Sequence, residues 1–143
     1  MRRVVPLVKV EGYPRTAFDW PVVPDGLREL LVGLKTAYGE KLPPIYITEN
    51  GCAYDDTVGV DGQVHDDDRV AYLDAHLRAV AQAVDFGVEV AGYYAWSLLD
   101  NFEWAEGYTK RFGLVHVDYE TQKRTPKDSF GWYRDVIAAH AAR

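Results

Sequence analysis

Ile45-Tyr46-Ile47-Thr48-Glu49-Asn50-Gly51 is a run of β-branched and aromatic residues that ends on a carboxylate and then on Asn-Gly. Pro43-Pro44 bounds it upstream, and Asn50-Gly51 tolerates positive φ, so the segment reads as a strand followed at once by a turn. On these seven residues alone, Glu49 reads equally well as an exposed loop acid. The flanking chain decides. Val70, Leu73, Leu77, Val80 and Val84 recur at helical spacing up to about Phe86, where Gly87 is a stop. The following stretch, Val88-Glu89-Val90-Ala91-Gly92-Tyr93-Tyr94-Ala95-Trp96-Ser97, is nearly continuous in apolar character, as in a strand buried on both faces of a parallel sheet. Strand, helix, strand is a βαβ unit whose two strands point the same way. Glu49 and Trp96 are then placed at the C-terminal edge of the sheet, where α/β folds bind ligands.

Working outward, residues 1–24 carry Pro6, Pro14, Pro21 and Pro24 and read as a loop-rich lead-in to one structural unit over residues 25–143. Leu27, Leu30, Leu31, Leu34 and Tyr38 mark a first helix behind Asp25, stopped by Gly39. Residues 52–67 are rich in Asp and Gly and read as a surface loop over a site. Beyond Trp96, the segment Leu98–Tyr108 mixes aromatics and acids more densely than a core requires. Residues 113–119 and 122–125 suggest a small antiparallel excursion. Thr125-Pro126-Lys127-Asp128 reads as the start of a last helix, with Thr125 as N-cap and Phe130, Tyr133, Ile137 and His140 facing inward.

Composition narrows the function classes. Over 143 residues the chain is 48% hydrophobic with a formal charge of −6, which fits a globular protein and lacks the clustered positive charge of a nucleic-acid binder. No run is long enough to span a bilayer, and Met1-Arg2-Arg3-Val4-Val5-Pro6 lacks the apolar region of a secretory signal, so a cytoplasmic location is expected. Cys52 is the single cysteine and reads as a buried, inert thiol. Asp55-Asp56 and Asp66-Asp67-Asp68 lack the spacing of a cation loop; the second cluster reads as capping a helix. No metal or cofactor is expected.

A carboxylate beside indoles suits a sugar. Sugar C–H faces lie against aromatic rings, and hydroxyls donate to carboxylates. Tyr46-Ile47-Thr48-Glu49-Asn50-Gly51, then Trp96-Ser97-Leu98-Leu99-Asp100-Asn101-Phe102-Glu103-Trp104, and Arg111-Phe112-Gly113-Leu114 resemble the C-terminal part of β-glucosidases of glycoside hydrolase family 1. Pro24-Asp25-Gly26-Leu27 and Arg124–Ser129 extend the resemblance over most of the chain from about Ala17. It implies an α/β fold, the last two strands or so of a (β/α)8 TIM barrel with their helices. It implies that Glu49 is the nucleophile of a retaining β-glucosidase and forms a glycosyl-enzyme intermediate. Trp96 would stack under the sugar, Glu103 would bind hydroxyls at C4 and C6, Trp104 would bind near C3, and Phe112 would wall the pocket. Relatives acting on 6-phosphorylated sugars usually replace the residue at the Glu103 position, so Glu103 favours an unphosphorylated β-glucoside or oligosaccharide. One departure is Asp19 before Trp20, where the family usually has glycine; it reads as a loop change away from the chemistry.

The family's acid/base glutamate lies in an Asn-Glu-Pro motif, and that tripeptide does not occur in these 143 residues. The expectation is therefore a partial barrel, inactive alone, with the inner sheet face and at least one strand edge uncovered. The alternative is a non-catalytic sugar-binding or assembly half-barrel that pairs with a separate N-terminal half.

Overall fold

A computed structural model of the chain describes residues 10–142. The basic N-terminus and Pro6 lie outside the described residues. Among these residues three α-helices and four strands follow in the order α1 (Pro24–Tyr38), β1 (Ile45–Asn50), α2 (Asp67–Asp85), β2 (Val90–Ala95), β3 (Val115–Val117), β4 (Arg124–Pro126) and α3 (Asp128–Ala141). β1 and β2 pair in parallel across α2, so the βαβ reading holds.

Pro24 presets φ for the first residue of α1, and Gly39, at φ 56°, ends it with its N–H on the Lys35 carbonyl. Gly87, at φ 88°, follows Phe86 at the end of α2 and donates its N–H to the Val84 carbonyl at 2.8 Å. Only part of each expected apolar stripe is used. Leu31 of α1 and Val80 and Ala83 of α2 join Val88 in the core, with Ile45, Ile47, Val90 and Tyr93 packed against them. Leu30, Tyr38 and Val84 remain exposed. Helices therefore cover one face of the β1–β2 pair. On the other, Tyr46 is 58% and Tyr94 57% exposed, so β2 is not buried on both faces and the inner face is open, as the partial-barrel expectation requires.

The last helix starts later than its sequence suggests. Thr125 pairs with His116 in the antiparallel β3–β4 ladder, which keeps it from capping α3. Lys127 occupies the N-cap position without a side-chain cap. Asp66 supplies the missing acceptor from a distance, taking the Ser129 N–H at 2.8 Å and the Ser129 hydroxyl at 2.5 Å. Asp66 also precedes α2, but its side chain makes no cap there; Asp67 and Asp68 favour the α2 dipole from its first turn. Along α3, Phe130 and Tyr133 are half-buried, whereas Ile137 and His140 are exposed.

Residues 52–67 are only partly a surface loop. Cys52, Ala53, Asp56, Val64 and Asp66 are buried at its two ends. A balanced cluster of three acids and three bases holds these ends to the rest of the chain. Lys127 Nζ donates to Asp56 at 2.5 Å and to Asp100 at 3.0 Å. Arg69 donates to Asp56 at 2.6 Å and to Asp66 at 2.5 Å, and Arg111 donates to Asp100 at 2.7 Å. Asp56 thus serves a salt-bridge network, and no group of acids, histidines or cysteine suited to a metal ion exists among the described residues. No helix among them is long and apolar enough to cross a membrane. Burial pushes the Cys52 thiol up to about 12, in keeping with an inert role.

Candidate functional site

Strict alternation along β1 would put Glu49 on the side of Ile45 and Ile47, under the helices. A bulge prevents this. Ile47 is opposite Tyr93, but Asn50 is opposite Ala95, so β1 has one residue more than β2 between these pairs. Thr48 and Glu49 are consecutively exposed as a result, and Glu49 opens into a cleft. The strand runs on through Asn50, and neither Asn50 nor Gly51 has positive φ, so the expected turn is absent. Gly51 is needed for another reason: a Cβ there would lie 1.7 Å from the Trp96 carbonyl oxygen.

That close approach joins β1 to the loop after β2, where the Trp96–Ser97 peptide bond is cis. Ser97 donates its N–H to the Phe112 carbonyl at 3.2 Å, and Leu114 returns one to Ser97 at 2.8 Å. Phe112 is thereby held beside Trp96. A Cβ on Gly113 would meet the Asp100 nitrogen at 2.1 Å, so this second glycine also permits backbone packing. The Trp96 indole donates to Glu103 Oε1 at 3.3 Å. Glu103 is 8% exposed, and its N–H closes a turn on the Gly107 carbonyl at 2.7 Å. The next residue, Trp104, sits at φ 47° and is 87% exposed at the tip of that turn.

The five residues singled out from the sequence, Glu49, Trp96, Glu103, Trp104 and Phe112, line one cleft of about 530 Å³. Its other walls were not anticipated: Phe18, Trp20, Asn50, Tyr72 and Glu106 line it too. No lysine, arginine or histidine does so among the described residues. Tyr108 packs between Phe102 and Tyr119 at centroid distances of 5.5 and 4.5 Å.

Phe18 and Trp20 come from the lead-in. The Thr16 hydroxyl accepts the N–H groups of both at 3.3 Å, which curls the segment so that their rings stack at 4.8 Å. Lys110 Nζ ties this turn to the segment just before Phe112 through the Ala17 carbonyl at 2.7 Å. Asp19 stands at φ 57°, the left-handed region that a glycine occupies freely, and pairs with Arg15. It directly precedes a cleft residue, so the departure from the family's glycine is not remote from the site.

A parallel strand pair crossed by a helix, with carboxylates and indoles gathered at its C-terminal edge, fits part of a (β/α)8 barrel. Residues 6–142 match the model of glycosyl hydrolase family 1, and the chain belongs to that family. A 1,4-beta-D-glucan glucohydrolase of Thermotoga neapolitana is 55% identical over 87% of the chain, which covers 28% of that protein. A 6-phospho-beta-galactosidase of Streptococcus equi subsp. zooepidemicus is 48% identical over 87% of the chain and 26% of its own length. The structure of a Thermotoga maritima beta-glucosidase in complex with deoxynojirimycin superposes with a TM-score of 0.86 at 52% identity, covering 90% of this chain and 29% of that one. The chain thus spans less than a third of the relatives it matches.

Proposed function

We propose that this chain is the nucleophile-bearing portion of a retaining β-glucosidase. The observation that supports it is the convergence of Glu49, Trp96, Glu103, Trp104 and Phe112 on one cleft. In this reading a Glu49 oxygen attacks the anomeric carbon, a new C–O bond forms, and the bond to the aglycone oxygen breaks with its electron pair. Trp96 offers a ring face to the sugar, Glu103 accepts from its hydroxyls, and Trp104 and Phe112 complete the walls. Retention calls for a second carboxyl about 5 to 5.5 Å from the first, to protonate the leaving oxygen. Glu49, Glu103 and Glu106 are the carboxylates of the cleft. Glu103 is committed to the Trp96 indole and Glu106 lies beyond the Trp104 tip, so the acid/base is assigned to the barrel portion that these residues do not include. The chain alone is then inactive on ordinary glucosides.

A dinitrophenyl fluorosugar β-glucoside tests the nucleophile, because dinitrophenolate leaves without protonation. The expected result is a covalent sugar adduct on Glu49 by peptide mass spectrometry, absent in Glu49→Gln. No adduct, or an adduct on another residue, overturns the reading. Among the described lining residues, three carboxylates and no cation favour a neutral sugar over a 6-phosphorylated one. Binding of glucose 6-phosphate tighter than glucose would reverse that preference.

The open sheet face, with Tyr46 and Tyr94 exposed, supports a second reading as a non-catalytic half-barrel that pairs with a separate N-terminal half. Deoxynojirimycin binding by calorimetry without any trapping of Glu49 would favour it.

A further inference from the structure

The bulge that turns Glu49 toward the cleft is gripped on its C-terminal side from two elements. Asn50 Oδ1 accepts the Tyr93 hydroxyl of β2 at 2.6 Å, and Asn50 Nδ2 donates to the Tyr72 hydroxyl of α2 at 3.4 Å. The Asn50 carbonyl takes the Trp96 N–H at 2.9 Å. Tyr72 is itself fixed: its ring stacks on His76 at 3.9 Å, and its carbonyl meets His76 Nδ1 at 2.7 Å. Burial raises the phenol of Tyr72 to about 12 and that of Tyr93 further, so both hydroxyls keep their protons.

We infer that Tyr93 and Tyr72 are positioning residues that act through Asn50 to hold the β1 bulge and so aim the Glu49 carboxylate into the cleft. A bulged strand has a competing arrangement, the one-residue slip that restores regular pairing. Here that slip would carry Glu49 to the side of Ile45 and Ile47. The ladder pairs Ile47 and Asn50 but neither residue between them, so backbone pairing leaves the bulge itself unheld. The Asn50 side chain, gripped by two phenols, opposes the slip. The catalytic meaning of this clamp rests on Glu49 as nucleophile; the clamp itself does not.

The test is Tyr93→Phe in the 143-residue chain, which removes one oxygen and leaves Asn50 Oδ1 without its donor. Amide resonances of Thr48–Gly51 are expected to shift, and hydrogen exchange at the Trp96 amide to speed up. Trapping of Glu49 is expected to slow about tenfold or more, while deoxynojirimycin affinity stays within about twofold. Tyr72→Phe keeps the acceptor for Tyr93 and removes only the 3.4 Å contact from Asn50 Nδ2, so a smaller change at the same residues is expected. Tyr133→Phe is the control; it loses a 3.3 Å bond to the Tyr93 carbonyl and leaves Asn50 alone. Unchanged resonances and exchange at Thr48–Gly51 in Tyr93→Phe, or equal changes in the control, overturn the inference. If Tyr93→Phe does not fold, Tyr72→Phe decides by the same readout. Failure of the wild-type chain to trap the fluorosugar counts against the nucleophile reading, and the exchange pattern still decides the clamp.

Discussion

Trp96 donates its indole N–H to Glu103 Oε1 across 3.3 Å, so the aromatic floor and the buried acid of the cleft are one bonded unit. Removing the acid loosens both. Glu103→Ala is expected to weaken deoxynojirimycin binding about tenfold or more, the scale of a hydrogen bond to a charged group. Calorimetry checks this, and unchanged affinity would remove Glu103 from the sugar site.

The buried ion cluster should dominate stability over the surface pairs. Lys127 is fully buried and bridges Asp56 and Asp100, so Lys127→Met leaves two buried carboxylates short of a cation. Urea unfolding is expected to show a loss of about 3 kcal/mol or more. Arg78→Ala breaks the exposed pair with Asp74 and should cost less than about 1 kcal/mol. Equal losses would mean that the cluster contributes no more to stability than a surface pair.

Two groups set opposite pH limits. Burial pushes the Asp100 carboxyl up, but Lys127, Arg111 and the Val117 N–H outweigh it and hold it below the usual range. Its contribution to stability is complete above the unfolded value of about 3.9 and is lost as pH falls through the folded one. Asp100→Asn should therefore flatten the stability curve on the acid side. His65 lies between Asp128 at 2.6 Å and Asp61 at 3.0 Å, which raise it to about 9. Its contribution is complete below about 6.5 and is lost as pH rises through the folded value. NMR titration should show a raised His65 midpoint that Asp128→Asn lowers; an identical midpoint in the variant would rule out the pairing.

Two glycines should respond in opposite directions to alanine. Gly51→Ala drives a Cβ to 1.7 Å from the Trp96 carbonyl, and backbone must move; a loss of about 1 to 3 kcal/mol or more is expected. Gly33 lies inside α1 with nothing within 4 Å of its Cβ position, so Gly33→Ala should stabilise by about 0.5 to 1 kcal/mol. Thermal melts of both variants against wild type check the pair of signs.

Much of the architecture was legible in the chain. The periodic apolar positions of α1 and α2, the glycine stops at Gly39 and Gly87, and the apolar runs of β1 and β2 are local signals, and a βαβ unit follows from their order. Thr125 misled because a capping signature and a strand residue look alike locally; pairing with His116 decided between them. Phe18 and Trp20 were missed because nothing in a Pro-rich lead-in says where it docks. Their alternation after Thr16 was the available signal.

By itself, the sequence determined the elements, their order and the carboxylate at the end of β1, since these depend on propensity and period. Tertiary structure alone decided which way that carboxylate faces. An extra residue in β1, held through Asn50 by Tyr93 and Tyr72, reverses the side that simple alternation assigns to Glu49. The contacts that oppose the slip come from residues 43 and 22 positions away in the chain, beyond the reach of any local pattern.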